Sequence, residues 1–317
     1  MSEARPVLIV AGGTGGHVFP ALAVAERLRE RGLPVVWMGT RRGLEATLVP
    51  KAGIPIEWVG VAALRGKGAR RALTMPLILG RALWQAGAIL RRLRPRVVLG
   101  MGGFASGPGG MAARSLGIPL VVHEQNAIAG LTNRWLARIA DRVLEAFPST
   151  FPSARRALTV GNPVREQIAA LPPPAERFAA RAGQPPRLLV VGGSQGALAL
   201  NQLVPQALAS LAERERPEVW HQAGGQLHAA AEAAYRESGV AARLTPFIED
   251  MADAYGWADL VLCRAGALTV AELAAAGVGS ILVPFPFAVD DHQTANARFL
   301  ERGGAALIRQ QAELTAE

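Results

Sequence analysis

Three glycine-rich segments have the makings of a site: GGTGGH (12–17), GMGGFASGPGG (100–110) and GGSQGA (192–197). Each follows an apolar, β-branched run and precedes a helical stretch. That arrangement aims successive backbone N–H groups and the positive end of a helix at one point, as an anion site requires. A single such loop need only permit a tight strand-to-helix turn; three in one chain point to phosphate. A fourth segment, CRAGALTVAELAAAG (263–277), joins a small-residue turn to a helix whose first turn carries Thr269. Glu272 follows three residues later, on a face that could reach a ribose and accept from its hydroxyls. Its other reading is an acid that stabilises a helix N-terminus.

The same loops exclude several chemistries. The dinucleotide fingerprint is broken, because Val18 stands where a third glycine should follow Gly13 and Gly15, and Ala197 follows Gly196 at the wrong spacing. GMGGFA alone fits the permissive form of that motif. No G-x-x-x-x-G-K-[ST] occurs, which argues against a P-loop NTPase. The five histidines are scattered, Cys263 is the one cysteine, and no Asp-x-Asp is present to carry a divalent ion onto a diphosphate. No metal and no cofactor are therefore expected. Diphosphate charge would be met by helix ends, hydroxyls and arginine.

These loops need a scaffold, and the pattern around them supplies one. Short β-branched runs alternate with helical stretches, the signal of a parallel sheet with crossover helices. Strands are expected at 7–11, 35–39, 97–100, 119–124 and 142–147, and again at 187–193, 218–224, 242–247, 259–263 and 280–286. VLIVAGGTGGH is echoed by LLVVGGSQGA, so the chain reads as two similar α/β domains, 1–160 and 161–317. Ligands of such sheets lie beyond the carboxyl ends of the strands, where the glycine loops are.

At 317 residues, 50% hydrophobic and 19% charged, the chain can build two ordinary cores. One cysteine and an N-terminus lacking a basic-then-apolar run fit a reducing, cytoplasmic setting. The net charge of +9 is uneven: residues 1–160 hold 22 Lys and Arg against 8 Asp and Glu, residues 161–317 hold 12 against 17. The basic half should meet something anionic, whether phosphates, an acidic membrane surface or nucleic acid. Residues 64–96 combine nine basic residues and no acid with Leu77, Leu79, Leu83 and Trp84. Pro76, Arg81 and Gln85 interrupt that stretch too often for a membrane span. It reads as a helix lying on a membrane, or else as a core-packing helix with solvated arginine ends.

AGGTGGHVFPALAVA, ALRGKG (63–68), GMGGFASGPGG, HEQNAIAGLTNRWLA (123–137), GNPVR (161–165), GGSQGA, CRAGALTVAE and DDHQTANA (290–297), in this order and spacing, resemble the MurG family over essentially the whole chain. That family comprises membrane-associated N-acetylglucosaminyltransferases that convert lipid I to lipid II in peptidoglycan synthesis. The resemblance implies the GT-B architecture, two Rossmann-like doubly wound domains facing a cleft. Family members continue through further C-terminal helices, so a shortened second domain is expected here.

Carried over, the resemblance implies inverting transfer from UDP-GlcNAc to the MurNAc 4-hydroxyl of undecaprenyl-diphospho-MurNAc-pentapeptide (lipid I). It implies that Ser194 and Gln195 meet the donor diphosphate, supported by the helix start at Ala267, Leu268, Thr269, Val270 and Ala271. Ile248 would present backbone to uracil, Glu272 would take the ribose, Gln293 the sugar hydroxyls, and Arg165 would reach the donor. Thr14, Gly15, Gly16 and Asn126 would be donor-side contacts from the first domain. Gly13, Gly102, Gly103 and Ser106 would cradle the acceptor diphosphate. His17 is implied as general base, with Glu124 the second choice. The protein is expected at the cytoplasmic face of the plasma membrane, held peripherally through residues 64–96, with no nucleic-acid partner. Rival readings are a glycosyltransferase using another lipid such as diacylglycerol, an NAD-dependent oxidoreductase, and a non-catalytic sugar-nucleotide-binding protein.

Overall fold

The computed structural model describes residues 5–60, 69–193 and 196–316, without the side chains of residues 69–74 and of Val289. The chain divides into two compact units, Met1–Pro163 and Val164–Glu317, three residues beyond the boundary expected from sequence.

The first unit is a seven-stranded sheet of β1 (Val7–Val10), β2 (Val35–Gly39), β3 (Ile56–Trp58), β4 (Val97–Gly100), β5 (Leu120–Glu124), β6 (Arg142–Glu145) and β7 (Leu158–Thr159). The strands are all parallel, in the order β3-β2-β1-β4-β5-β6-β7. Its helices are α1 (Gly15–Glu30), α2 (Glu45–Lys51), α3 (Ala69–Leu93), α4 (Ser106–Ser115) and α5 (Leu131–Leu136). β1 is buried along its whole length because helices cover both faces of the sheet. Leu8 and Val10 pack with Ala82, Ala86 and Leu90 of α3 and with Ala112 and Ala113 of α4. Val7 and Ile9 point the other way, toward Val18, Ala21 and Ala25 of α1.

The second unit repeats the design with β8 (Arg187–Val191), β9 (Glu218–Gln222), β10 (Arg243–Thr245), β11 (Leu260–Cys263), β12 (Gly279–Leu282) and β13 (Ala306–Ile308), in the order β10-β9-β8-β11-β12-β13. Its helices are α6 (Glu166–Ala169), α7 (Pro174–Ala179), α8 (Leu198–Ala209), α9 (His228–Ser238), α10 (Met251–Trp257), α11 (Ala267–Ala276) and α12 (His292–Arg302). In each unit the strand order reverses beside the first strand, between β1 and β4 and between β8 and β11. A doubly wound sheet opens a crevice at that point, and all four segments singled out by composition leave the carboxyl ends of these four strands. The ten strands expected from sequence are present: β2 and β4 have the expected bounds, β12 starts one residue earlier and ends four residues short, and the others are trimmed at their ends. β3, β7 and β13, all at sheet edges, were not expected.

Candidate active site

In the first unit the loop after β1 runs into α1 with Thr14 as N-cap in extended conformation and no side chain closing the helix start. The Gly15 and Gly16 amides are thus left for a ligand, while the His17 and Val18 N–H groups donate to Thr14 O at 3.1 and 3.2 Å, and no acid sits among them to oppose an anion. The loop is held from behind. Glu45, fully buried at the start of α2, accepts from Gly13 N–H at 2.8 Å through one oxygen, and from Thr40 N–H (3.0 Å) and Oγ1 (2.7 Å) through the other. The Trp37 indole donates to Ala11 O at 2.9 Å.

The loop after β4 closes on the first. Gly102 and Gly103 have φ of +94° and +83°, a region costly to side chains. A Cβ on Gly102 would lie 2.6 Å from His17 Nδ1, and one on Gly103 would strike the Gly12 carbonyl. These two glycines therefore allow the loops to touch and His17 to lie across them. Ser106 is placed differently from the expectation that it meets the acceptor diphosphate. Its hydroxyl is fully buried, within 2.7 Å of both Val10 O and Gly102 O, so it ties α4 to the loops instead of facing a ligand.

The segment after β5 contributes the polar centre. His17 Nδ1 lies 2.9 Å from Gln125 Oε1, and Gln125 Nε2 reaches both His123 Nδ1 and His123 O at 3.0 Å. His123 Nε2 meets Gly161 O at 3.0 Å. Burial lowers the His123 pKa below the ordinary imidazole range, against the opposing pull of the Gly161 hydrogen bond and the Glu124 charge. Glu124, 1% exposed, is engaged on both oxygens: Oε1 accepts from Asn126 N–H (3.0 Å) and Nδ2 (3.2 Å), Oε2 from Gly130 N–H (3.1 Å) and Asn133 Nδ2 (2.9 Å). A carboxylate so surrounded fixes the 126–130 loop, and is badly placed to accept a substrate proton. Of the two residues implied as base, His17 is the half-buried one that lies beside the glycine loops.

In the second unit Ser194 and Gln195 fall outside the described residues, as does ALRGKG (63–68) in the first. The strand end beside Ser194 is clamped: Gln222 accepts from Gly193 N–H (3.1 Å) and donates to Gly193 O (2.9 Å) and Pro246 O (3.2 Å). α11 begins after Gly266 with no side-chain cap and no acid in its first turn. Thr269 and Ala271 are half-buried beside the buried Ala267 and Val270, and Leu268 is half-buried as well. One turn on, Glu272 is paired with Arg165 (2.9 Å) and accepts from the Tyr255 hydroxyl (3.2 Å). Burial, then the charge of Glu272, raises the Tyr255 pKa, so that hydroxyl stays a donor. Arg165 also lines an open cavity of about 350 Å³ with Gln167, Ile168, Glu249, Asp250 and Ala252. Ile248 is buried beside it in sequence, and Gln293 accepts from Phe285 N–H at 2.9 Å. Among the described residues no group of three or more His, Cys, Asp or Glu is arranged to hold a metal ion.

Glu45, His123, Gln125, Gln222 and Tyr255 were not foreseen as part of the site. Gln125 and His123 lie inside HEQNAIAG, the segment the motif comparison had already picked out. The others carry no local signal, because each acts from a neighbouring strand or helix.

Residues 7–145 match the glycosyltransferase family 28 N-terminal domain, and residues 187–317 its C-terminal domain. The chain is 62% identical to the UDP-N-acetylglucosamine–N-acetylmuramyl-(pentapeptide) pyrophosphoryl-undecaprenol N-acetylglucosamine transferase of Nitrosococcus oceani, over 98% of this chain and 86% of that one. It is 58% identical to the enzyme of the same name from Cupriavidus necator, over 100% and 88%. The crystal structure of Acinetobacter baumannii MurG superposes with a TM-score of 0.85 at 45% identity, covering 98% of this chain and 88% of that one. The calicheamicin glycosyltransferase CalG4 shares the fold at a TM-score of 0.65 and 20% identity, over 98% and 87%.

Proposed function

Because the chain belongs to glycosyltransferase family 28, and within it to the MurG family, we infer that it transfers GlcNAc from UDP-GlcNAc to the MurNAc 4-hydroxyl of lipid I, giving lipid II. The observation that carries this reading is the identity of 62% maintained over 98% of the chain with a transferase of that name. The arrangement at both strand-order reversals supports it, with uncapped helix starts suited to diphosphates and a tethered carboxylate suited to a ribose.

In this reading the second unit holds the donor. Glu272 takes the ribose hydroxyls, the start of α11 and the loop containing Ser194 and Gln195 meet the diphosphate, and Gln293 meets the sugar. From the first unit, Thr14, Gly15, Gly16 and Asn126 complete the donor contacts, and the loops at 12–17 and 102–103 bind the acceptor diphosphate. His17 takes the proton of the 4-hydroxyl as that oxygen bonds to the anomeric carbon. The bond to the UDP oxygen breaks on the opposite face, its electron pair leaving with UDP, and helix N-termini stabilise the departing charge. The configuration at the anomeric carbon inverts to a β-1,4 link.

Lipid I stays in a bilayer, so the protein must work at its surface, on the cytoplasmic side where UDP-GlcNAc is made. No described helix is long and apolar enough to cross a membrane. α3 offers the means of attachment. Its inner face, Ala82, Ala86, Ile89 and Leu90, is buried in the core, while Leu77 and Trp84, two turns apart, are 76% and 71% exposed. The buried inner face fits the core-packing reading of this stretch, and the exposed outer face supports the membrane-lying one.

Radiolabelled UDP-GlcNAc incubated with lipid I in detergent tests the reaction. Label should enter the lipid fraction with stoichiometric release of UDP, and should not do so with diacylglycerol as acceptor. UDP-GlcNAc binding without transfer to lipid I would leave a binding protein, and NADH binding without UDP binding an oxidoreductase.

A further inference from the structure

Two backbone carbonyls determine where the protons lie around His17. A carbonyl oxygen can only accept, so the Gln125 nitrogen 3.0 Å from His123 O must be the amide NH₂ end. Gln125 Oε1 is then the atom 2.9 Å from His17 Nδ1, and having no hydrogen it requires one on Nδ1. In neutral His17 the lone pair is consequently on Nε2. Independently, Gly161 O requires a hydrogen on His123 Nε2, which leaves His123 Nδ1 bare to accept the second Gln125 amide hydrogen at 3.0 Å. Hydrogen positions follow here from the network, and each link in it agrees with the next. His123 is 4% exposed and Gln125 fully buried, so water does not compete for these bonds. A protonated His123 would turn an N–H against the Gln125 NH₂ and break the chain, and the depressed pKa of the buried ring prevents that.

We propose that Gln125, oriented by His123, is a positioning residue that holds His17 in the Nδ1–H tautomer, with Nε2 bare to receive the acceptor proton. This rests on His17 being the base. When the 4-hydroxyl proton moves to Nε2, the imidazolium keeps donating from Nδ1 to Gln125 Oε1, so ring and hydrogen bond need no rearrangement during the step. The Nδ1–H form is the less populated tautomer of histidine in water, and Gln125 reverses that preference. The relay is a Gly161–His123–Gln125–His17 chain in which neither end of the glutamine amide can be exchanged.

Long-range proton–nitrogen correlation spectra of the full chain with ¹⁵N-labelled histidine read the tautomer directly, His17 being assigned by its absence from the His17→Ala spectrum. In the unsubstituted protein His17 should show protonated Nδ1 and bare Nε2. Gln125→Leu should move it toward the Nε2–H form and lower kcat roughly 10- to 100-fold with the KM for UDP-GlcNAc unchanged. That loss is smaller than the roughly 10⁴-fold seen when a carboxylate orienting a catalytic imidazole is replaced, because a neutral amide stabilises the imidazolium less. Gln125→Glu keeps an acceptor at Oε1 and should retain the Nδ1–H form of His17, while its second oxygen, set against His123 O and the bare His123 Nδ1, should lower the melting temperature. An Nε2–H tautomer in the unsubstituted protein overturns the proposal without any variant having to fold, as does a Gln125→Leu variant of unchanged tautomer and kcat. If the tautomer is as expected but His17→Ala keeps its kcat, the assignment of the base has failed and the relay has no catalytic role.

Discussion

The Glu272 carboxylate is held from two sides, by the Arg165 guanidinium at 2.9 Å and by the buried Tyr255 hydroxyl at 3.2 Å. An unpaired helical glutamate would ordinarily be removable at little cost to the fold. Here Glu272→Ala leaves the Tyr255 hydroxyl buried without its acceptor, at about 1–3 kcal/mol. Glu272→Gln retains an oxygen for Tyr255 and is the cleaner probe. We expect Glu272→Ala to weaken UDP-GlcNAc binding by roughly 1–3 kcal/mol in calorimetric titration, with a lower melting temperature, and Glu272→Gln to weaken binding with less loss of stability. Arg165 is half-exposed, so its ion pair alone contributes under about 1 kcal/mol. Equal donor affinity in both Glu272 variants would remove this residue from the site.

His17 and Glu124, the two residues implied as base, should separate in opposite assays. His17→Ala should lower kcat by about 10² to 10⁴ with donor affinity nearly intact. It should lower the melting temperature only modestly, through the cost of about 1–3 kcal/mol of leaving the buried Gln125 Oε1 without its donor. Glu124→Ala strips the acceptor from two backbone N–H groups and two side-chain amides. Its main effect should be on stability, on the order of 3 kcal/mol or more, visible as a fall in melting temperature. Full turnover per folded His17→Ala molecule would leave this histidine as a helix-start packing residue.

Acid should loosen the second unit through His221. Its ring is fully exposed to the core and not to water, bonded to Tyr235 Oη at 3.0 Å, and burial lowers its pKa to about 4. The neutral form is therefore favoured in the fold. The stability this gives is complete above the unfolded value near 6.5 and is lost as pH falls from there toward 4, reaching on the order of 3 kcal/mol at the acid limit. His123 acts in the same direction in the first unit. Urea titrations at several pH values should show stability falling through this window, with a shallower slope in His221→Gln; an unchanged slope would assign the acid sensitivity to other groups.

The central strands were legible because they are buried on both faces and read as continuous apolar runs, VLIV and RLLVV among them. β3, β7 and β13 were not, since IEW, LT and ALI are edge segments too short to show a period. The glycine loops could be placed on strand-to-helix turns from composition alone. What holds them could not: Glu45 reaches Gly13 across 32 residues, Gln222 reaches Gly193 across 29, and His17 reaches Gln125 across 108. Such pairings exist only once the strands are in order. Ser106 shows the converse, a polar residue in a glycine loop whose hydroxyl turns inward to backbone carbonyls.

Attachment to a membrane should follow the outer face of α3. Leu77 and Trp84 project into solvent, Leu79 and Leu83 are only half-exposed, and the exposed Arg81 and Arg91 lie along the same helix. Arg92 is already engaged with Glu57 at 2.7 Å, so its charge is partly balanced. Each basic residue near an anionic surface contributes on the order of 1 kcal/mol, and two inserted apolar side chains add to that, which makes binding reversible and sensitive to salt. The protein should co-sediment with vesicles containing anionic lipid and much less with neutral vesicles. Changing Leu77 and Trp84 together to Ser should reduce binding without altering UDP-GlcNAc affinity or stability, because neither side chain is in the core. Arg81→Glu with Arg91→Glu should weaken binding most at low salt. Vesicle binding that survives both double substitutions and high salt would show that α3 serves only to cover the sheet.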